Sequence, residues 1–110
     1  MHIFFYKTAS GRSPVEKFIE GLPKPDQAKF ADVNDGIAEH GLQYEPVEFK
    51  HLRGKLWEIK FKAKGGGYQI AYAILDKDTM VWLHAFRKDS QKTPEDDLNL
   101  AEMRMKEVLS

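Results

Sequence analysis

From Trp57 to Lys62 the chain alternates strictly. Trp57, Ile59 and Phe61 are apolar, and Glu58, Lys60 and Lys62 are charged. A period of two is that of a strand with one buried side. Trp57, Ile59 and Phe61 are therefore expected in the core, with Glu58, Lys60 and Lys62 facing out. "KGGG" (64–67) then predicts a hairpin turn. "YQIAYAIL" (68–75) is almost continuously apolar, which places it centrally in a sheet. "DKDT" (76–79) reads as a second turn and "MVWLHAF" (80–86) as a third adjacent strand. Near the start, "HIFFYK" (2–7) has the β-rich, apolar composition of a first strand.

Other segments carry a helical period. In "SPVEKFIEGLP" (13–23), Ser13 can cap, Pro14 suits the first helical position, and Glu16 completes a capping box. Val15, Phe18, Ile19 and Leu22 form its apolar side, and Gly21 with Pro23 ends it. A second helix is expected from Pro25 to His40, burying Phe30, Val33 and Ile37, with Gly41 just past its end. Gly36 within it costs up to about 1 kcal/mol against alanine, which points to fraying or to a close approach there. Residues 42–54 read as a connector with a short strand around Phe49. Thr93 and Pro94 predict the start of a last helix, whose Glu95, Asp96 and Asp97 suit the positive end of its dipole. Leu98, Ala101, Met105 and Leu109 would line its inner side. The order is β-α-α-β-β-β-α. This is an α+β fold: a small twisted antiparallel sheet, two N-terminal helices packed on one face, a C-terminal helix, and the other face partly open around Glu58, Lys60 and Lys62. With 110 residues and no linker or repeat, a single domain over 1–110 is expected.

Composition adds exclusions. There is no cysteine, so disulfides and thiolate metal sites are ruled out. Glu39, His40, Glu45, Glu48 and His51 lack the spacing of a metal-ligand set, and no metal or other cofactor is expected. No apolar run reaches the roughly 20 residues of a membrane span, and the N-terminus lacks the features of a signal peptide, so a cytoplasmic location is expected. Net charge is zero, but its distribution is uneven. Residues 50–92 hold ten Lys or Arg and four acids, whereas the remainder holds seven and thirteen. A basic working face with acidic helices elsewhere is one reading, and an ordinary solvated surface is the other.

The candidate chemistry has plain alternatives. Lys60 and Lys62 on an alternating strand can be simple solvent-side charges, and Lys88 and Lys92 simple loop charges. His84, between Leu83 and Ala85, can be a hydrogen-bonded structural residue. Trp57, Trp82 and Phe61 can stack on bases, but their period assigns Trp57 and Phe61 to the core. "KGGG" is no phosphate-binding loop of the P-loop kind, because a strand follows it rather than a helix.

Three stretches taken in order change the balance: "YKTASGRSPVEKFIEGLP", "LWEIKFKAKGGGYQIAY" and "LHAFRKDSQKTP". Together they resemble the RelE/ParE superfamily of type II toxin–antitoxin toxins, and more narrowly its phage-derived HigB-like branch. The likeness runs from about Phe5 to Leu109, and the Lys88…Lys92-Thr93-Pro94 spacing is its most specific part. The resemblance implies a RelE-like fold. It also implies a ribosome-dependent mRNA endoribonuclease that inhibits translation and is neutralised by a cognate helix-turn-helix antitoxin. Its partners would be that antitoxin, the ribosome and mRNA, with no membrane. Carried over by position, it makes Lys60, Lys62, Lys88 and Lys92 the cationic catalytic cluster, with Glu58 or His84 as a base. Arg87, Gln69, Lys64 and Lys55 become candidate RNA-binding residues. The family usually reads Tyr-Arg after the hairpin, with the arginine on the scissile phosphate; this chain reads Tyr68-Gln69. A fixed positive charge is thus missing from the expected centre, and Gln69→Arg is expected to raise cleavage. Two alternatives remain: a ParE-like DNA gyrase inhibitor, and a catalytically weak binding module that retains antitoxin pairing.

Cleavage of this kind needs no metal. The ribose 2′-hydroxyl attacks the adjacent phosphate and the 5′-oxygen leaves. The reaction calls for a proton acceptor, a proton donor and cations near phosphorus. A lysine among other cations has its pKa lowered and can share in the proton transfers.

Overall fold

The computed structural model describes residues 1–88 and 93–110. Five strands, β1 (His2–Phe5), β2 (Glu48–Arg53), β3 (Leu56–Ala63), β4 (Gly66–Asp76) and β5 (Thr79–Arg87), form one sheet in the order β1-β5-β4-β3-β2. The helices are α1 (Pro14–Glu20), α2 (Lys24–His40) and α3 (Glu95–Leu109). The architecture is mixed α+β, as the sequence patterns predict. Two details of the sheet differ. Residues 48–53 form a full edge strand, antiparallel to β3, where the sequence suggests only a short segment around Phe49. The sheet is also not wholly antiparallel, because β1 lies parallel to β5, with Ile3 opposite Met80 and Phe5 opposite Trp82.

Both faces of the sheet are covered in part. On one face, α1 and α2 bury Val15, Phe30, Val33 and Ile37 against Ile59, Phe61, Tyr68, Ile70, Tyr72 and Trp82. On the other, α3 lays Ala101, Leu98, Met105 and Val108 over Leu56, Ala71, Ala73, Val81 and Leu83. The alanines let the helix approach closely, and they explain why β4 is apolar on both sides. The face expected to be partly open is therefore closed in part by α3. Val108, rather than Leu109, completes the inner side of that helix; Leu109 is exposed. Trp57, expected in the core, sits at the margin of the α1–α2 face and is 37% exposed, edge-on to His51.

Local signals act as expected in α1 and α2. Ser13 Oγ accepts from the Glu16 N–H at 3.3 Å, and Pro14 opens α1. Gly41, at φ 62°, ends α2 in the left-handed region that glycine tolerates best. Gly36 is the site of a close approach, since a Cβ there would run into the Tyr44 ring.

A buried polar tie joins α2 to the β3–β4 turn. Asp26, in the first turn of α2, is fully buried; it accepts from the Gly65 N–H at 3.0 Å and from the Tyr68 hydroxyl. The Tyr68 bond, the Gly65 bond and the nearby Arg87 and Lys64 charges outweigh burial and hold the Asp26 carboxyl below its ordinary range. Burial and the Asp26 bond push the Tyr68 hydroxyl up. Asp26 thus contributes stability that is present above its ordinary value of 3.8 and is lost as pH falls through its lowered folded value. A Gly65 Cβ would strike the Asp26 carboxylate. Gly65→Ala is expected to lower Tm by more than about 4 °C, the shift that roughly 1 kcal/mol causes in a domain of this size. In thermal melts across pH, Asp26→Asn is expected to flatten the loss of stability below about pH 4. An unchanged acid limb would show that the tie contributes nothing.

Candidate functional site

Beyond the N-terminal end of α3, the same face of the sheet stays open. A groove of about 480 Å³ lies there, lined by Glu45, Pro46, Val47, Glu48, Lys60, Phe61, Lys62, Gly67 and Lys88. Strand register builds it. Glu48, Lys60, Gln69 and Phe86 form one cross-strand row through β2, β3, β4 and β5. The neighbouring row is Lys50, Glu58, Ala71 and His84. Lys62 pairs with Gly67 at the outer end, and the Lys88 N–H donates to the Gly67 carbonyl at 2.9 Å. The absent side chain of Gly67 leaves room for Lys88, whose Cβ would lie 3.5 Å from a Cβ at that glycine. Lys60, Lys62 and Lys88 are thus brought together. Lys92 lies outside the described residues.

The two inner lysines are side by side. Contact with the Lys60 ammonium, then burial, then the charge of Lys60 lower the pKa of Lys88, against the opposing pull of Glu48 and Glu58. Like charges held this closely favour loss of a proton from one of them.

Beneath them lies a buried polar cluster. Glu58 and Gln69 are both inaccessible to solvent. Gln69 Nε2 donates to Glu58 Oε2 at 2.6 Å, and Thr93 Oγ1 donates to the same oxygen at 2.9 Å. Glu58 Oε1 faces Lys60 Nζ at 3.6 Å. The expectation that Glu58 faces out is corrected here. Alternation assigns it to the right face, but its carboxylate is buried there among Gln69, Thr93 and Lys60. Thr93 likewise serves a different end from the helix cap its position predicts: α3 begins at Glu95 without a side-chain cap, and the Thr93 hydroxyl goes to Glu58.

The remaining sequence candidates are dispersed. His84 is half-buried against α3. Its Nε2 meets Asp97 Oδ1 at 2.6 Å, its Nδ1 faces Arg104 Nη1 at 3.4 Å, and its ring stacks on Phe86 at 5.0 Å. With both nitrogens engaged, it ties α3 to β5. Arg87 points to the opposite face, where its guanidinium lies over the Tyr68 ring and donates to the Gly65 carbonyl. Lys64 lies in the β3–β4 turn near Asp26, and Lys55 in the β2–β3 turn at the far end of β3. Lys50 was not among the sequence candidates. It is exposed and stands opposite Glu58, which adds a cation on the edge strand in the row next to that of Lys60. Its signal, once β2 is granted, is that the antiparallel register with β3 places it beside Glu58.

The arrangement offers ammonium groups to an anion lying along the groove, and one lysine whose pKa is lowered. Among the described residues, no group of three His, Asp or Glu side chains could hold a metal ion, and no helix is long and apolar enough to cross a membrane. Compared with known families, residues 17–106 match a model described as phage derived protein Gp49-like (DUF891). No curated protein matches the chain.

Proposed function

The chain belongs to the Gp49-like phage-derived family, a toxin-like family related to the toxins of type II toxin–antitoxin systems, and we propose that it acts as a metal-independent endoribonuclease on mRNA at the ribosome. Membership of a toxin-like family implies an antitoxin partner. The observation that carries the nuclease reading is the Lys60–Lys88 pair in the open groove, with the pKa of Lys88 lowered by its neighbour. A phosphodiester is an anion whose cleavage by proton transfer can use such a pair. The RelE-like, HigB-like character of the three sequence stretches supports the same reading.

In this mechanism the scissile phosphate lies between Lys60 and Lys88. The neutral amine of Lys88 takes the proton of the 2′-hydroxyl. The 2′-oxygen bonds to phosphorus and the bond from phosphorus to the 5′-oxygen breaks. The Lys60 ammonium supplies the proton to that leaving oxygen. The products are a 2′,3′-cyclic phosphate and a 5′-hydroxyl end. Lys62 and Lys50 hold flanking phosphates, a contribution that weakens as salt rises. Glu58 is buried, and in this mechanism it holds Lys60 rather than meeting the RNA.

Induced expression followed by mapping of mRNA 5′ ends tests the proposal. New 5′-hydroxyl ends within translated regions are expected for the wild type and are expected to vanish for Lys88→Ala. With purified ribosomes, the rate should climb with pH and level off below the ordinary lysine value of 10.5, because Lys88 loses its proton early. Intact mRNA in cells and on ribosomes alike would overturn the reading.

A further inference from the structure

Gln69 occupies a costly position. It is buried, and its Oε1 has no partner among the described residues. The amide cannot be turned to satisfy that oxygen, since it would then face the oxygen of Glu58. An aliphatic side chain would avoid the unpaired acceptor altogether. What the amide supplies is one donor, aimed at Glu58 Oε2. Thr93 supplies a second donor to the same atom.

The consequence falls on Lys60. With Oε2 occupied twice, Lys60 meets only Oε1, at 3.6 Å. A full ammonium–carboxylate hydrogen bond is roughly 2.7–2.9 Å long. Lys60 is therefore anchored to Glu58 without being drawn onto it. Its ammonium stays beside Lys88. We propose that Gln69 and Thr93 are positioning residues, which occupy one oxygen of Glu58 so that Lys60 stays in the groove beside Lys88. The kinetic part of this proposal rests on the nuclease reading, and the geometric part does not.

Two measurements on the purified protein test it. The first needs no RNA: Lys88 is titrated by NMR of its side-chain carbons in wild type, Gln69→Leu, Thr93→Val and Thr93→Ser. Among the described residues, the charged groups around Lys88 are Lys60, Lys62, Glu58, Glu48 and Glu45; His84 and Asp97 are engaged with each other. Freed of its donors, Glu58 draws Lys60 inward, so the Lys88 midpoint is expected to move up toward the ordinary lysine value in Gln69→Leu and Thr93→Val. Thr93→Ser keeps the hydroxyl and is expected to titrate like the wild type. The second measurement is cleavage on ribosomes. Thr93→Val is expected to lower kcat at least tenfold with little change in KM, and Thr93→Ser to restore it. An unmoved Lys88 midpoint in both Gln69→Leu and Thr93→Val, or a Thr93→Ser that behaves like Thr93→Val, overturns the proposal. If the wild type cuts no RNA, the nuclease reading falls, while the titration still decides whether Gln69 and Thr93 position Lys60.

Discussion

Lys60→Ala is expected to lower RNA cleavage by roughly 10²–10³-fold, the loss that follows removal of one preorganised transition-state contact. The side chain is well placed for that role. It is only 11% exposed, it projects from β3, an inner strand of the sheet, and its ammonium is shared between Glu58 and the groove. The substitution also strips Glu58 of its cation. Removing one partner of a buried ion pair costs about 3–5 kcal/mol, because the other charge is left behind. Stability is therefore expected to fall together with activity. The double variant Glu58→Gln/Lys60→Ala separates the two effects. It is expected to recover most of the lost Tm, measured by calorimetry, and none of the lost cleavage. Recovery of cleavage in the double variant would show that Lys60 matters only for folding.

Gln69→Arg alone is expected to give no gain in cleavage, and Glu58→Gln/Gln69→Arg to give a gain of tenfold or more. The sequence alone suggests that arginine at 69 restores a missing charge. The structure shows where that charge would go. Glu58 lies within hydrogen-bond reach of the Gln69 side chain, and a guanidinium there would engage both its oxygens in a bidentate pair. It would be neutralised before reaching a phosphate. With glutamine at 58 there is no carboxylate to hold it, and a fixed charge becomes available on the row that carries Lys60. Single-turnover cleavage on ribosomes compares the variants. A large gain from Gln69→Arg alone would show that Glu58 does not control this position.

Alternation in β3 identified which residues share a face, and it did so correctly for Glu58, Lys60 and Lys62. It could not show what covers that face, so Glu58 looked exposed. The signal for the cover was in β4, whose apolar run, interrupted only by Gln69, calls for cover on both faces. The same parity places Arg87 opposite Lys88, since neighbours along a strand point to opposite faces; cationic composition alone had grouped them. Thr93 followed a cap pattern that its hydroxyl does not serve, because Glu58 lies nearer in space than in sequence. The partner of β1 was not legible at all. Nothing local in "HIFFYK" distinguishes pairing with β5 from pairing with any other strand. Lys92, the remaining member of the proposed cluster, lies outside the described residues.

The pairing of β1 with β5 also governs when the molecule can exist during synthesis. His2 to Phe5 find their places only against Thr79 to Trp82, and α1 packs on β5 as well. A nascent chain that has not yet exposed residue 79 holds two amphipathic helices with no finished surface to cover. Contacts between such distant segments close slowly and late. Lys88 and Thr93 follow β5 in the chain, so the groove is assembled only after the sheet has closed. A partly made copy therefore carries Lys60 without the neighbour that tunes it, and the chemistry proposed for the pair is withheld until synthesis has passed both.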